Sequence, residues 1–288
     1  MSRILLTGAS GFVGGAVLRA LRRAPGDHSI RLLTHRTPLP GPTGEIEVVP
    51  ADLARPRSLG GICDGVDTLV HLAARIGGDE RSCQQVNHHG TAALVAEARR
   101  AGVTRILYLS TAAVYGDGVY RGLAEDEVPP TPVSPTSRSR LDAERVVRAA
   151  DGTVLRPMFV TGKADAWFRP TLLGLLAALG NWVDEGEARL STVDVDELAR
   201  IVVAAATTRP LRAGAVYHAN HPEPVRVRDL VGAAGDFVPP SGSVSLAEAE
   251  QILPPPFTRR QLHLLFSDQW FDNSRLWRDL DLTPDPGR

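Results

Sequence analysis

Three glycines at three-residue spacing follow the first apolar run of the chain. They are Gly8, Gly11 and Gly14, in a segment that reads TGASGFVG over residues 7–14. A loop of this kind makes a tight turn, lets the backbone approach a pyrophosphate, and packs the next helix closely on the strand. The helix that starts near Phe12 would hold the pyrophosphate at its N-terminus, where backbone N–H groups lack partners. The spacing therefore predicts a dinucleotide-binding loop with the contact positions Gly8, Ser10, Gly11, Phe12, Val13 and Gly14.

The end of the second apolar run indicates which dinucleotide binds. NAD sites usually place a carboxylate there for the ribose 2′-hydroxyl, but this chain reads Thr34-His35-Arg36 and has no acidic residue before Glu45. A guanidinium can hold an extra phosphate by charge-assisted hydrogen bonds. We therefore predict NADP(H), with NAD(H) less favoured, and a 2′-phosphate held by Arg36 with help from His35 or Arg31. The alternative is that Arg36 is a solvated loop residue in an arginine-rich chain.

Short apolar runs alternate with amphipathic stretches through the first half of the chain, and these elements must position the loops. The runs are continuous rather than alternating, which is typical of strands covered on both faces. Strand and helix alternate across short turns, which predicts the α/β class with a Rossmann-type, doubly wound parallel sheet. The predicted strands are 3–7, 30–34, 45–50, 68–72, 106–110 and 153–157. The predicted helices are 13–23, 57–62, 83–101 and 139–149.

The pattern changes after Pro157, which indicates a second structural unit. An apolar helix is predicted near 170–179, and a capped helix from the segment that begins at Ser191 through to Thr207. We expect residues 1–157 to form a dinucleotide-binding domain, to which 191–220 return. Residues 158–190 and 221–288 are expected to form a smaller substrate-binding subdomain at the C-terminal edge of the sheet, where ligands bind in such folds.

Composition excludes several classes of function. The formal net charge of −1 provides no broad basic surface for nucleic acid or anionic lipid. Of the 32 basic residues only Lys163 is a lysine, and no Ser or Thr follows it, so a phosphate-binding P-loop is excluded. Two cysteines without CxxC spacing, no signal-peptide pattern, no span of bilayer length and no metal-ligand pattern indicate a cytoplasmic protein without a metal. We expect a monomer or homodimer without nucleic-acid or membrane partners.

Ordered motifs along nearly the whole chain resemble the extended and atypical branches of the short-chain dehydrogenase/reductase superfamily. The segment 7–14 fits the TGxxGxxG loop of that family, and 110–116, which reads STAAVYG, fits its SSxxVYG segment at the end of strand five. The resemblance implies that Asn87 supports the active site from a helix. It also implies that an aspartate contacts the adenine and that the end of strand four lines the cofactor. The cofactor positions that it adds are Asp52, Leu53, Leu72, Ala73, Ala74 and Pro157.

One position departs from the family pattern. Enzymes of that family carry Tyr-x-x-x-Lys on the helix after strand five, where the tyrosine exchanges a proton with the substrate and the lysine holds the nicotinamide ribose. When this chain is aligned on Pro135 and Glu144, Thr136 stands at the tyrosine and Arg140 at the lysine. The resemblance implies that Thr111 takes the place of the Ser or Thr that hydrogen-bonds the substrate carbonyl.

The predicted catalytic set is therefore Thr111, Tyr115, Thr136 and Arg140. Arg140 keeps a cation that can hold ribose hydroxyls but does not deprotonate, and the hydroxyl of Thr136 is a poor acid. The proton for an alcohol product would come from Tyr115, Tyr120, water or the substrate itself. The alternative is that Tyr115 has a structural role and packs beneath the loop that follows strand five.

These features predict an NADPH-dependent ketoreductase that lacks the usual proton relay. A polycyclic aromatic ketone with a neighbouring phenol carries its own acid, and the lost dyad resembles ketoreductases that tailor angucyclinone-like polyketides in antibiotic biosynthesis. The partner would then be a small aromatic ketone. Two alternatives remain open, a non-catalytic NADP-binding sensor and a nucleotide-sugar epimerase or dehydratase. Trp167 and Phe168 either line an aromatic-substrate pocket or belong to the core of the small subdomain, which is the favoured interpretation.

Overall fold

The apolar runs of the first half form parallel strands, and shorter strands follow them in the second half. The computed structural model describes residues 2–35, 46–235 and 237–285. The strands within these ranges are β1 (Ser2–Thr7), β2 (His28–Thr34), β3 (Ile46–Pro50), β4 (Thr68–His71), β5 (Arg105–Leu109), β6 (Tyr120–Leu123), β7 (Thr153–Arg156), β8 (Phe159–Thr161), β9 (Asn181–Val183), β10 (Arg189–Leu190), β11 (Thr192–Asp194), β12 (Val216–His218), β13 (Val225–Arg226), β14 (Gly242–Val244) and β15 (Gln269–Phe271).

Helices connect most of these strands. The helices of the same ranges are α1 (Phe12–Leu21), α2 (Glu80–Cys83), α3 (Gly90–Arg100), α4 (Pro135–Ala149), α5 (Phe168–Leu179), α6 (Val195–Thr207), α7 (Val227–Gly232), α8 (Leu246–Ile252), α9 (Arg259–Phe266) and α10 (Ser274–Leu280). A π-helical turn over Gln84–His89 joins α2 to α3.

The main sheet has the strand order β12-β7-β5-β4-β1-β2-β3 within the described residues. All of its neighbouring strands are parallel, and the order reverses between β1 and β4. In open sheets of this kind the carboxyl ends of the strands on either side of the reversal form the ligand crevice. The prediction of a doubly wound parallel sheet is confirmed, and its six predicted strands all form within two residues of the expected bounds.

Helices cover both faces of this sheet, which explains why its strands are continuously apolar. Val17 of α1 and Val202 of α6 belong to one buried cluster. Leu94 of α3 and Val147 of α4 belong to another. Two helix predictions need correction, because the residues that end one helix and begin the other were misjudged.

The predicted helix 57–62 is instead a short 3-10 turn over Pro56–Leu59, because Gly60 and Gly61 follow it at once and Gly61 adopts a positive φ of 80°. Helix α4 begins at Pro135 rather than near 139, because Ser134 caps it. The Ser134 and Ser137 side chains each accept a hydrogen bond from the other residue's backbone N–H, and Pro135 occupies the first turn, where no N–H is needed.

The second half of the chain contributes to both the main sheet and a smaller unit. Strand β12 pairs with β7 at the sheet edge, and α6 packs in the same cluster as α1. A separate apolar cluster includes Leu175 of α5, Val231 of α7 and Leu265 of α9. The small sheet β13-β10-β15-β6 takes three strands from the second half of the chain and β6 from the first half. No helix of the described ranges is long and apolar enough to cross a membrane.

Candidate active site

The glycine loop joins β1 to α1 with little room for side chains. Gly8 has a φ of 79°, and a Cβ built there would lie 2.7 Å from the backbone nitrogen of Ala73. A Cβ at Gly14 would lie 1.9 Å from the carbonyl oxygen of Gly8. The Gly11 N–H donates to the Gly8 carbonyl at 2.9 Å and closes the turn. The loop therefore requires glycine at Gly8 and Gly14 for close approach of its own backbone to β4 and α1.

Helix α1 begins with backbone donors that no side chain caps. Its N-cap is Gly11, which has no side-chain oxygen to cap the helix, and the first intrahelical bond runs from the Gly15 N–H to the Gly11 backbone carbonyl at 2.8 Å. The N–H groups of Phe12, Val13 and Gly14 thus precede the hydrogen-bonded ladder of the helix. An anion such as a pyrophosphate is the kind of group that such donors bind.

The end of β4 is fixed against the loop by a complete hydrogen-bond network. The Thr91 hydroxyl donates to a backbone carbonyl, so its oxygen accepts from His71 Nε2 at 2.9 Å. His71 Nδ1 then accepts from the Thr7 hydroxyl at 2.7 Å, and the Thr7 oxygen accepts the N–H groups of Leu72 and Ala73 at 3.2 Å. Burial and the Arg140 cation lower the pKa of His71 to about 3. The neutral ring therefore locks β1, β4 and α3 together beside the loop.

A cavity of about 830 Å³ lies over these elements, and we call it the cofactor cleft. Every predicted cofactor position that the structure describes lines it: Gly8, Ser10, Gly11, Phe12, Val13, Gly14, His35, Asp52, Leu53, Leu72, Ala73, Ala74 and Pro157. Arg36, the predicted 2′-phosphate ligand, lies outside the described residues. The roles of these residues stay predictions, but their assembly in one cleft suits a dinucleotide.

The end of the cleft beside β2 carries a carboxylate with two basic neighbours. Asp52 Oδ2 lies 3.2 Å from His35 Nε2 and 3.6 Å from Arg55 Nε, while its Oδ1 accepts the Ala54 N–H at 2.9 Å. Arg31 does not take part, which corrects its suggested role beside Arg36. It is buried and its guanidinium donates to Glu47 at 2.8 Å and to the carbonyl of Ile62 at 2.7 Å.

Arg140 lines the cleft from α4 with a guanidinium that is fixed by the backbone. Its Nη2 donates to the carbonyls of Leu109 and Ser110 at the end of β5. Its Nε is buried without a partner among the described residues, as is Ser110 Oγ. Buried polar atoms are rarely left unpaired, so both atoms fit a polar ligand in the cleft such as the ribose of a nicotinamide nucleotide.

Thr111 presents a free donor in the same cleft. It lies at the N-cap of the 3-10 turn Ala112–Tyr115, and its oxygen accepts the Ala113 N–H at 3.2 Å. Its hydroxyl hydrogen has no acceptor within the part of the chain that the structure describes. A donor is therefore available here for a substrate carbonyl, and the role that the sequence assigns to Thr111 stays a prediction.

Thr136 stands at the tyrosine position but does not line the cleft. Its hydroxyl oxygen accepts the Gly77 N–H at 3.0 Å and lies 3.9 Å from Cys83 Sγ. The side chain therefore ties α4 to the loop after β4. The structure does not place Thr136 where a proton could pass to a ligand in the cleft, which corrects its inclusion among the catalytic residues.

Tyr115 is also placed away from the cleft, and its hydroxyl is fully engaged. His218 Nδ1 faces the carbonyl of Asp272 at 2.8 Å and must donate to it, so His218 Nε2 accepts from the Tyr115 hydroxyl at 2.8 Å. Arg156 donates to the same hydroxyl at 2.8 Å. Burial raises the pKa of Tyr115 to about 12. These contacts fit the alternative that Tyr115 packs beneath the loop after strand five. They do not fit a role as proton donor, because the hydroxyl is already bonded to His218 and Arg156.

Tyr120 is excluded as a donor for a similar reason, because its hydroxyl donates to the Tyr115 carbonyl at 2.9 Å and it does not line the cleft.

Asn87 takes the supporting position that the resemblance implies. Its side chain bonds both backbone groups of Arg75, at 2.7 and 3.0 Å, and donates to Ser139 Oγ at 2.9 Å. The π-helical turn that carries Asn87 thus fixes the floor of the cleft.

Sequence reasoning missed most of the wall formed after β7. The signal available was the position of these residues directly after Pro157, at the carboxyl end of a sheet strand. Trp167, interpreted as core, is 46% exposed and lines the cleft. Trp167 and Phe168, for which lining a pocket was the less favoured interpretation, both belong to this wall. The lining residues of this wall that were not predicted are Met158, Phe159, Val160, Ala164, Asp165 and Ala166.

A second cavity of about 590 Å³ adjoins the cleft. Asp165 and Phe168 line both cavities, whereas Lys163 lines the second cavity and not the cofactor cleft. Across the described ranges no group of His, Cys, Asp and Glu side chains is arranged to hold a metal ion.

Comparison with known proteins agrees with the resemblance. The model of the NAD-dependent epimerase/dehydratase family matches residues 4–218. The 2-alkyl-3-oxoalkanoate reductase of Stenotrophomonas maltophilia (strain K279a) is 28% identical over 323 residues, which cover 98% of this chain and 94% of the relative. The 4-hydroxy-2-methyl-3-oxo-4-farnesyl-3,4-dihydroquinoline-1-oxide ketoreductase of Stigmatella aurantiaca is 30% identical over 243 residues, which cover 80% of this chain and 71% of the relative.

Solved structures share the fold. The Bordetella bronchiseptica enzyme WbmH in complex with NAD+ is similar with a TM-score of 0.77 and 20% identity, covering 99% of this chain and 94% of that one. RMD from Pseudomonas aeruginosa complexed with NADPH is similar with a TM-score of 0.71, 20% identity and the same coverage. At this level of identity both comparisons concern the fold alone.

Proposed function

Since the chain belongs to the NAD-dependent epimerase/dehydratase family and is an NAD(P)H-dependent oxidoreductase, we propose that it reduces a ketone on a polycyclic aromatic metabolite. One observation carries this proposal. The cleft combines the glycine loop, Arg140 and the free hydroxyl of Thr111, whereas none of its described lining residues is a tyrosine or a lysine. The cleft therefore has parts that position a cofactor and polarise a carbonyl, and it lacks the usual residue that supplies a proton.

The residues present fit a nicotinamide dinucleotide. The uncapped N–H groups at the start of α1 would hold the pyrophosphate, and Arg140 Nε with Ser110 Oγ would pair with the ribose beside the nicotinamide. When bound, the reduced nicotinamide supplies the hydride. Thr111 donates to the substrate oxygen and stabilises the negative charge that develops there.

The preferred cofactor in this proposal is NADPH. His35 and Arg36 follow β2 where an NAD site usually has a carboxylate, and His35 lines the cleft. A 2′-phosphate beside His35 would also face Arg55, whose guanidinium is near Asp52.

The proton is proposed to come from the substrate. A phenol next to the reacting carbonyl can give its proton to the oxygen as the hydride arrives at carbon, and the phenolate regains a proton from water. The enzyme then needs only to orient the ring system, which supplies a large part of the rate through proximity. Angucyclinone-like polyketides have this arrangement, so a step in antibiotic biosynthesis is the role that we propose.

The named relatives support ketone reduction. One is named a reductase of 3-oxoalkanoates and the other a ketoreductase of a dihydroquinoline. The second name describes a carbonyl on a ring fused to an aromatic ring, although it names no phenol beside that carbonyl.

The experiment is a matched substrate panel. Purified protein and NADPH are incubated with polycyclic aromatic ketones that carry a hydroxyl next to the carbonyl, and with the corresponding methyl ethers. NADPH absorbance and product mass are followed. We expect the phenols to be reduced and the ethers to react at least about tenfold more slowly, because the internal acid contributes general acid catalysis.

Three outcomes would contradict the proposal. Tight NADPH binding without turnover of any ketone would indicate a cofactor sensor. Equal rates for phenols and ethers would mean that the proton comes from elsewhere. Turnover of a nucleotide sugar instead would place the chain with the epimerases and dehydratases of its family.

A further inference from the structure

Three aromatic rings form a column in the wall between the two cavities. The rings of Phe159 and Trp167 are nearly parallel, with an interplanar angle of 12° and centroids 6.4 Å apart. Phe159 and Phe168 stack with centroids 4.4 Å apart and an angle of 23°. Offset parallel stacking is a favoured geometry for aromatic pairs. The column thus orients its outer ring, the Trp167 indole.

The outer ring of the column remains available to a ligand. Phe159 and Phe168 are 2% and 3% exposed, whereas Trp167 is 46% exposed although Phe159 lies beside it. Only two of the exposed large apolar side chains line the cofactor cleft, Trp167 and Ile76, within the ranges that the structure covers. A large aromatic surface left exposed in a cleft is typical of a binding site.

The backbone that carries the indole is held by one carboxylate. Asp165 accepts the N–H groups of Trp167 and Phe168 at 2.9 Å and that of Arg169 at 2.8 Å. These bonds satisfy the donors at the start of α5, which the N-cap residue itself leaves unsatisfied. Trp167 is therefore presented from a fixed loop and backed by packed rings, so stacking on it loses little conformational entropy.

We infer that Trp167 is the platform on which the fused aromatic rings of the substrate stack while the ketone reaches Thr111. Both residues line the same cleft. The inference rests on the proposed function and adds a binding determinant for planar, fused-ring ligands. An indole face binds flat conjugated rings better than saturated rings of similar size, because parallel π-surfaces add to the burial of apolar area.

The test measures binding and needs no turnover. The protein saturated with NADP+ is titrated by calorimetry with anthraquinone-2-sulfonate, a planar tricyclic probe, and with 2-decalone, a saturated cyclic ketone. Trp167→Leu keeps an apolar side chain and removes the ring. We expect it to weaken anthraquinone binding about tenfold, as loss of one stacking contact does, and to change decalone binding less than about threefold.

Two matched variants separate stacking from general apolar contact. Trp167→Phe keeps a ring and should bind the anthraquinone within about threefold of the native protein. Ile76→Ala removes apolar surface from the same cleft and should lower the affinity for both probes alike. Titration with NADP+ alone checks that each variant is folded, and Trp167→Met replaces Trp167→Leu if the latter loses NADP+ binding.

The outcomes distinguish this inference from the proposed function. Equal anthraquinone affinity in the native protein and Trp167→Leu, equal losses for both probes, or no binding of the anthraquinone to the native protein would overturn the platform. Anthraquinone binding that depends on Trp167, without reduction of any ketone, would leave the platform standing and overturn the ketoreductase.

Discussion

At the scale of single residues, the site is defined by which polar atoms are committed and which are free. The hydroxyls of Thr136, Tyr115 and Tyr120 are all used in contacts that hold the protein together. The hydroxyl hydrogen of Thr111 and the Nε of Arg140, in contrast, have no hydrogen-bond partner among the described residues. Catalysis in this cleft would therefore depend on placing a carbonyl and stabilising charge, since none of its described lining residues is a tyrosine or a lysine.

Thr111→Val should lower kcat for ketone reduction by about 10²–10³-fold, because the substrate oxygen loses its donor. The change also removes the cap of the following 3-10 turn, so stability should fall by about 1 kcal/mol. Thr111→Ser keeps both the donor and the cap and should stay within a few-fold of the native rate. Steady-state kinetics with a saturating aromatic ketone measures both variants, and a Val variant as fast as the Ser variant would remove Thr111 from the mechanism.

Thr136→Ala should leave kcat near the native value, because its hydroxyl contacts Gly77 and not the cleft. The lost acceptor for the Gly77 N–H should cost about 0.5–1.5 kcal/mol of stability, which is typical of one hydrogen bond. Thr136→Ser, which keeps the acceptor, is the matched control for stability. A several-hundredfold loss of kcat in the Ala variant alone would show that Thr136 relays a proton after all.

At the scale of elements, pattern and spacing predict the sheet and one side of the cleft. Apolar runs and glycine spacing are local signals, so β1 to β5, β7 and the glycine loop could be placed from sequence. The 3-10 turn at 56–59 was mistaken for a helix because its apolar pattern continues past the glycines that end it. Sequence left open whether Trp167 and Phe168 line the cleft and did not predict the rest of the wall from Met158 to Phe168, because whether an aromatic residue faces the core or the cleft depends on packing between distant segments.

Gly14→Ala should abolish high-affinity NADPH binding and destabilise the fold. Its Cβ would lie 1.9 Å from the Gly8 carbonyl, so α1 would have to move away from the loop. Gly15→Ala is the matched control, since its Cβ would make only ordinary contacts at 3.6 and 3.8 Å. The control should gain up to about 1 kcal/mol from better helix propensity.

Fluorescence titration with NADPH and thermal unfolding of both glycine variants measure these effects. Native-like cofactor affinity in Gly14→Ala would mean that the loop can open without loss of its function.

At the scale of the whole molecule, a buried polar network joins the main sheet to the smaller unit. Arg156 of β7 pairs with Glu144 of α4, with Nε and Oε1 3.0 Å apart, and both side chains are almost fully buried. Arg156 also bonds Tyr115, which bonds His218 of β12, which bonds the Asp272 carbonyl after β15. Sequence could not predict this network, because Tyr115 and His218 are 103 positions apart.

The buried His218 of this network and the buried His71 beside the glycine loop should make stability depend on pH in the mildly acidic range. Burial lowers the pKa of His218 to about 4 and that of His71 to about 3, from an ordinary 6.5. Between pH 6.5 and about 4, these two histidines bind protons in the unfolded chain but stay neutral in the folded protein. Lowering the pH through this range therefore favours unfolding. The stabilisation by neutral rings is complete above pH 6.5 and is lost as the pH falls through this window.

We expect the free energy of unfolding to fall by up to about 1.4 kcal/mol per pH unit for each ring. Burial raises the pKa of Glu125, which opposes this trend through a single group. Urea unfolding at pH 7, 6 and 5 measures the slope, and His218→Asn, which cannot titrate, should have a shallower one. Stability that does not change between pH 7 and 5 would show that both rings can be protonated in the fold.

The single lysine gives this chain an unusual chemical addressability. Lys163 is exposed at the rim of the second cavity, in the segment that leads to Trp167, and it is the only side-chain amine in the sequence. Both cysteines are buried, and burial raises the pKa of Cys63 to about 12, so its thiol does not compete for electrophiles at neutral pH. An amine-reactive ester would therefore label one side-chain position, next to the aromatic column, without any engineered substitution, and the α-amino group is the other amine that it would modify.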